Sequence, residues 1–152
     1  MVIQPKRGMT MIAPISTNPA LVLNQSSSSA YAAAAGRVLL ASIFILSGIS
    51  KVTDPASALG YISSVGLPFP QVGLGVAILV EIVGGIALVA GYRTKLVATG
   101  LALFSVATAL LFHSALGDQN QFIHFFKNIA MAGGLLQVAA FGGGAVAIDN
   151  RR

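Results

Sequence analysis

The stretch VGLGVAILVEIVGGIALVA, residues 72–90, decides the fold of this chain. It is about long enough to cross the ~30 Å hydrocarbon core of a bilayer as a helix. Its one charged residue, Glu81, lies near the middle. An ionisable side chain at that depth costs roughly 2.5 to 3.5 kcal/mol on insertion scales and faces a bundle interior or a polar cavity. Glu81 is therefore the first candidate for a functional residue, and a structural ion pair between helices is the alternative interpretation.

The composition of the whole chain is that of an integral membrane protein. Hydrophobic residues make up 55% of the 152 residues and charged residues 9%, and the mean hydropathy is +0.84. An ordinary soluble domain has roughly 25% charged residues. The chain has no cysteine, which excludes disulfides and thiolate metal sites. The net charge of +5 comes from basic residues scattered at the ends of apolar runs, so it indicates membrane orientation and not nucleic-acid binding.

Three further apolar runs accompany residues 72–90. The four predicted spans are residues 31–50, 72–90, 96–112 and 122–148. Residues 52–71 contain Pro and Gly breaks and are predicted to form a linker with a short interfacial helix near residues 56–65. Lipid requires the spans to be helical, and short connections make sequential helices antiparallel neighbours. The predicted fold is an all-α membrane protein, an antiparallel four-transmembrane-helix bundle.

The domain organisation follows from these runs. Residues 1–30 are rich in Pro and Ser and are predicted to be a flexible polar tail, residues 31–148 form the membrane domain, and residues 149–152 form a basic C-terminal tail. Four spans place both termini on one side. If that side is cytoplasmic it receives seven of the nine basic residues, so the positive-inside rule predicts an N-in, C-in, multi-pass membrane protein.

Two groups of polar residues are predicted inside this bundle. Arg37 lies about two turns into the first span and can reach toward Glu81, and a carboxylate paired with arginine is bidentate. We therefore expect a buried Glu81–Arg37 pair, with Lys127 as the alternative cation. The second group gathers at the opposite, outer face, where it could hydrogen-bond a quinone carbonyl or a small anion or merely anchor helix ends. Its members are Ser47, Lys51, His113, Asp118, His124, Lys127 and Asn128. No spacing typical of a metal site is present.

Together these segments resemble the DoxX family of small bacterial four-helix membrane proteins, over about residues 31–145. The matching motifs are Arg37 at the start of the first span, SGISK at residues 47–51, GLP at 66–68, EIVGGIALVAG at 81–91 with the basic turn after it, His113, and FKNIAMAGG at 126–134. The family is named after a small subunit associated with a terminal quinol oxidase, and its members are described as oxidoreductases or as membrane components of redox and stress-defence complexes. No catalytic centre is established for the family.

The resemblance implies a location in a bacterial cytoplasmic (inner) membrane. It also implies importance for Arg37, Lys51, Glu81, His113, Lys127 and Asn128 and assigns no reaction step. Catalytic residues therefore stay unknown, and no self-contained catalytic centre is visible in the sequence. The favoured function is an accessory or anchoring subunit of a membrane oxidoreductase complex, with protein partners, the lipid bilayer around it, no built-in cofactor and a quinone site near the outer face. The alternatives are a small proton-coupled carrier that uses Glu81 and a purely structural membrane scaffold.

Overall fold

The computed structural model describes residues 19–151, with side chains from residue 27 onward, and every regular secondary-structure element in this part of the chain is a helix. Four of its five α-helices are long and apolar enough to cross a membrane, and α2 is short. This confirms the predicted all-α bundle of four membrane-spanning helices. The elements are α1 (Pro19–Thr53), α2 (Pro55–Ser64), α3 (Pro70–Ala90), α4 (Thr94–Phe112), α5 (Gln119–Phe141) and a 3₁₀ helix (Ile148–Arg151).

The first helix is longer than the sequence indicated. It begins at Pro19, so residues 19–30, which the sequence assigned to the flexible tail, are helical. Proline is favoured in the first turn of a helix, and the alanines at 32–35 strongly favour continuation of one helix through the serines at 26–29. The rest of the predicted tail, residues 1–18, lies outside the described residues.

Local signals in the sequence start and stop the middle helices. The Asp54 side chain accepts a hydrogen bond from the Ser57 backbone N–H and caps α2, whose first residue is Pro55. Hydrogen bonds from the side chain and backbone of Ser57 lower the pKa of Asp54, so the cap is charged at neutral pH. Helix α3 also begins with a proline, Pro70, and it ends at Gly91, which has a left-handed φ of 68°.

The spans associate as two antiparallel pairs, α1 with α3 and α4 with α5, joined mainly through α3 and α4. Small residues allow the close approaches: Gly85 lies against Ile45, and Gly84 lies against Leu101. Not every glycine inside the spans packs against a neighbouring helix, because an added Cβ at Gly75 would meet only open space. The same holds at Gly133. The buried core is made of Ala41, Phe44, Leu88, Ala98, Leu101, Ala102, Ala132 and Leu135.

The last span ends earlier than predicted, at Phe141 and not at Ile148. Gly142 and Gly144 both have positive φ angles, 83° and 74°, which redirect the chain. The residues that follow fold back, and the 3₁₀ helix takes up most of the segment that the sequence assigned to a basic tail. We call the end of the bundle that holds this segment and the α3–α4 turn the termini face, and the opposite end, which holds α2, the α2 face.

Asp149 joins the C-terminal segment to the termini face. Its two carboxylate oxygens accept hydrogen bonds from the backbone N–H groups of Arg93 and Thr94, each at 2.7 Å. Its own N–H donates to the carbonyl oxygen of Gly91 at 3.0 Å. The carboxylate therefore satisfies two of the unpaired N–H groups at the start of α4 and complements the positive end of the helix dipole.

Replacing Asp149 with alanine is expected to lower the free energy of unfolding by about 1 to 2 kcal/mol, the usual cost of losing a charged helix cap. Thermal unfolding in a mild detergent measures the effect. The matched control is Arg151→Ala, which removes an exposed charge from the same 3₁₀ helix without touching the cap. If the two variants unfold at the same temperature, the C-terminal segment does not stabilise the α3–α4 turn.

Candidate functional site

The α2 face half of the bundle encloses a cavity of about 580 Å³ between α1, α2, α3, α4 and α5. This volume lies within the range of small-molecule sites in proteins. Most of the wall is apolar, and the polar groups are few. The polar residues that line it are Ser47, Lys51, Tyr61, Glu81, Thr108, His113, Lys127 and Asn128.

The cavity exists because α1 and α5 contact each other sparsely. They meet where an added Cβ on Gly134 would lie 3.3 Å from Leu40. From that point toward the α2 face, α1 contributes Ile43, Ser47 and Lys51 to the cavity wall and α5 contributes Lys127 and Met131, while Phe44 belongs to both the wall and the buried core. The buried core residues at Leu88, Ala98 and Leu135 lie on the other side, toward the termini face.

Helix α2 and the segment after it cover part of the cavity. Tyr61 donates a hydrogen bond from its hydroxyl to the carbonyl oxygen of Phe112 at 3.0 Å, and the two rings stack with centroids 5.6 Å apart. Sequence reasoning treated residues 52–71 as a linker and missed Tyr61 as a cavity residue. The Asp54–Pro55 cap signature predicts the helix but not the side on which it lies. Sequence reasoning also missed Thr108, because nothing in its uncharged span indicated that this residue faces a cavity.

Glu81 and Lys51 form an ion pair in the wall of the cavity. The Lys51 Nζ atom lies 2.9 Å from both carboxylate oxygens of Glu81. Ser47, one turn before Lys51 on α1, donates to Glu81 Oε1 at 3.1 Å and accepts from Lys51 Nζ at 2.8 Å. The Glu81 side chain is 6% exposed and that of Lys51 24%. The three side chains therefore satisfy one another, and both oxygens of the buried carboxylate have partners.

The expected pair between Glu81 and Arg37 is wrong. Helices α1 and α3 are antiparallel, and their register brings Gly48 next to Glu81, because an added Cβ on Gly48 would lie 3.2 Å from the Glu81 Cβ. Arg37 comes 11 residues before Gly48, about 16 Å along the helix and beyond the reach of its side chain. Lys51 lies within one turn of Gly48 and takes the place that the sequence gave to Arg37.

Arg37 is buried at the termini face with a different partner. Its Nη1 atom donates to the carbonyl oxygens of Leu88 at 3.0 Å and Val89 at 3.1 Å, in the last turn of α3. The Leu88 carbonyl oxygen also accepts from the N–H of Gly91 at 3.2 Å. A cation is favourable at this end of α3, because the last carbonyl groups of a helix form the negative end of its dipole. Arg37 therefore caps α3 and takes no part in the cavity.

The outer-face group predicted from the sequence divides in two. Ser47, Lys51, His113, Lys127 and Asn128 all line the one cavity. His124 does not line it but stacks on His113, with ring centroids 5.1 Å apart. Asp118 lies outside the cavity and caps α5 by accepting from the Gln121 N–H at 2.9 Å.

The side chains around His124 form a hydrogen-bonded cluster at the start of α5. Lys127 Nζ lies 2.9 Å from His124 Nδ1, and Asn128 Nδ2 donates to the His124 carbonyl oxygen at 2.9 Å. His113 Nδ1 lies 2.8 Å from Gln121 Oε1 and donates to it. Across residues 19–151, His, Asp and Glu side chains form no group of three able to hold a metal ion. The cluster offers hydrogen-bond donors and one ammonium group at the wall of an apolar cavity, an arrangement that suits the polar head of an amphiphilic molecule.

The chain matches known sequences over its membrane-spanning part. The family model described as DoxX matches residues 32–114. The inner membrane protein YqjF of Escherichia coli strain K12 is 36% identical over 113 residues, which cover 74% of this chain and 85% of that protein. The inner membrane protein YphA of the same strain is 30% identical over 120 residues, covering 76% and 86%. No solved structure matches the chain.

Proposed function

The chain belongs to the DoxX family of membrane proteins, and from this premise we propose that it is an accessory subunit of a membrane oxidoreductase complex that holds a quinone-like amphiphile in its cavity. The observation that carries the proposal is the cavity itself, which combines apolar walls with hydrogen-bonding groups at one end. A quinone has a ring with two carbonyl acceptors and, in membranes, an apolar tail. The proposal of a redox partner protein rests on the family resemblance, because members of the family are described as components of redox complexes.

The arrangement of the polar groups supports this proposal. The Lys51 and Glu81 side chains are satisfied by each other and by Ser47, so they fix one wall of the cavity without a ligand. On the other side, Lys127 and His113 present polar atoms from α5 and from the end of α4. A carbonyl group placed between these walls would meet donors, while the rest of the molecule would contact apolar side chains.

A Glu81→Gln exchange tests the proposal, because it keeps the size of the side chain and removes its charge. In membranes of the native host, we expect this variant to retain less of a redox partner on affinity purification and to lower quinone-linked turnover. The control is Asp118→Asn, a similar exchange at a carboxylate that does not line the cavity. Unchanged partner retention and turnover in a folded Glu81→Gln protein would reject the proposed function.

We further propose that both termini are cytoplasmic, which places the cavity at the outer face of a bacterial inner membrane. The termini face carries Arg93, Lys95 and Arg151, and the positive-inside rule favours this side as cytoplasmic. Because the chain has no cysteine, single cysteines report orientation directly. In intact cells, a membrane-impermeant maleimide should label Ser114→Cys and leave Lys95→Cys unlabelled. The opposite pattern would reverse the orientation.

A further inference from the structure

We propose that the cavity selects amphiphiles that carry one negative charge, a carboxylate or a phenolate on an apolar body, and that Lys127 binds the charged group. The inference rests on the proposed function in one respect, that the cavity is a ligand site. It departs from the proposed function in the head group, which is an anion and not the neutral ring of a quinone, and it names the residue that recognises this anion.

The charges in the cavity wall leave one positive charge without a counterion. Three charged side chains line the cavity, namely Lys51, Glu81 and Lys127. Lys51 and Glu81 neutralise each other, with the ammonium group 2.9 Å from both carboxylate oxygens. Lys127 has no carboxylate within 4.0 Å among the side chains that the structure describes. The charged side chains that line the cavity therefore carry a net charge of about +1, because the charges of Lys51 and Glu81 cancel.

Among the described side chains, the one close polar neighbour of the Lys127 ammonium group does not compensate its charge. Its Nζ atom lies 2.9 Å from His124 Nδ1. An ammonium group only donates hydrogen bonds, so this imidazole nitrogen accepts and the His124 ring is neutral. His113, stacked on that ring, gives its Nδ1 hydrogen to Gln121. The Lys127 ammonium keeps two of its three hydrogens for another acceptor.

The position of Lys127 makes an anion an effective partner. It lies 8 residues after Gln119, about 12 Å along a membrane-spanning helix. Lys127 is itself exposed in the structure, and the cavity that it lines has mostly apolar walls, which include Phe44, Phe104 and Met131. In such surroundings the attraction between opposite charges is stronger than in water, and a hydrogen bond between two charged groups is stronger than one between neutral groups. A neutral carbonyl would use the donor but leave the charge uncompensated.

Two kinds of molecule carry this chemistry, a lipid-derived chain and an aromatic acid. The probes are therefore dodecanoate with its methyl ester and 2-naphthoate with its methyl ester. Their affinities for the full chain are measured at pH 7.5 in a nonionic detergent. The variants are Lys127→Gln, which removes the charge, and Lys127→Arg, which keeps it. The control is Lys95→Gln, which removes an exposed charge at the termini face, away from the cavity.

In the wild-type protein, at least one acid is expected to bind about tenfold more tightly than its ester, the size of one charge-assisted hydrogen bond. Lys127→Gln should reduce that ratio to about one without weakening the ester, while Lys127→Arg and Lys95→Gln should retain it. A preference confined to dodecanoate identifies a lipid-derived ligand, and one confined to 2-naphthoate identifies an aromatic acid.

Two results would overturn the inference, and they are distinguishable from failure of the proposed function. If acids and esters bind equally to the wild-type protein, or if the preference survives in Lys127→Gln, charge recognition by Lys127 is wrong while the cavity remains a ligand site. If neither acids nor esters bind, the cavity is not a site for amphiphiles, and the proposed function fails together with the inference. Equal melting temperatures of the variants show that a lost preference is not caused by unfolding.

Discussion

The variant Lys51→Met is expected to destabilise the protein by about 3 kcal/mol, because it leaves a buried carboxylate without its cation. Glu81 is 4% exposed and would retain only the hydrogen bond from Ser47. The double variant Lys51→Met, Glu81→Leu should recover most of this loss, since a well-packed apolar pair often replaces a buried ion pair at little cost. Unfolding of the wild type, Lys51→Met, Glu81→Leu and the double variant in mixed micelles with a denaturing detergent gives the four free energies of a double-mutant cycle.

The control for this cycle is Lys95→Met, which makes the same exchange at an exposed lysine of the termini face. It is expected to change the free energy of unfolding by less than about 0.5 kcal/mol. If Lys51→Met is no less stable than this control, the ion pair does not stabilise the bundle. If the double variant is as unstable as the single one, the loss comes from the Lys51 side chain itself and not from the isolated carboxylate.

The variant Gly91→Ala is expected to cost about 3 kcal/mol, from backbone strain and a steric clash together. Gly91 ends α3 with a left-handed φ of 68°, which a residue with a Cβ adopts only at a cost. An added Cβ would also lie 2.5 Å from the Ala147 Cβ and 2.5 Å from Arg37 Nη1. The exchange would therefore displace both the C-terminal segment and the arginine that caps α3.

The matched control is Gly100→Ala in α4, where an added Cβ meets nothing within 4 Å. Alanine in a helix interior is favoured over glycine by roughly 0.5 to 1 kcal/mol, so this variant should be slightly more stable than the wild type. Melting temperatures of the two variants provide the comparison. A Gly91→Ala protein as stable as Gly100→Ala would show that the α3–α4 turn and the C-terminal segment are not packed as described.

The membrane-spanning architecture could be predicted because it depends on composition and length. The run from residue 72 to 90 matches α3, Pro70–Ala90, closely, and Gly91 with its basic turn marks the end of that helix. The predicted start of the first span and the predicted end of the last span were wrong, because local sequence preferences at these two places are weak. The serines at 26–29 do not interrupt α1, and the glycines at 142–144 stop α5 before the predicted end at residue 148.

The partner of Glu81 could not be predicted, because it depends on the register between two helices. Lipid-exposed helices are apolar on nearly all sides, so the sequence carries no amphipathic face to align them. The register is set by close contacts, such as Gly48 against Ile82 and Gly85 against Ile45. These contacts bring Lys51 to Glu81 and place Arg37 at the far end of α3. The sequence did identify Lys51 as polar and important, but it assigned this lysine to a separate cluster.

The cavity could not be predicted from the sequence either, because it also depends on how two helices are placed relative to each other. It arises where α1 and α5 separate beyond the contact of Leu40 with Gly134, and no residue type encodes the separation of two helices. The residues that line it were nevertheless recognisable in part. Five of the polar positions singled out from the sequence, Ser47, Lys51, His113, Lys127 and Asn128, lie in its wall together with Glu81. Whether these residues act on a ligand remains a prediction.

The most direct test of the ligand-binding cavity is native mass spectrometry of the protein extracted from its own membrane in a mild detergent. Three proteins are compared: the wild type, Ala107→Phe in the cavity wall, and Ala130→Phe, which adds the same ring at an exposed position on α5 outside the cavity. We predict a bound amphiphile on the wild type and on Ala130→Phe, and its loss from Ala107→Phe. Equal phospholipid adducts on all three proteins, with nothing that the cavity-filling ring displaces, would contradict the account.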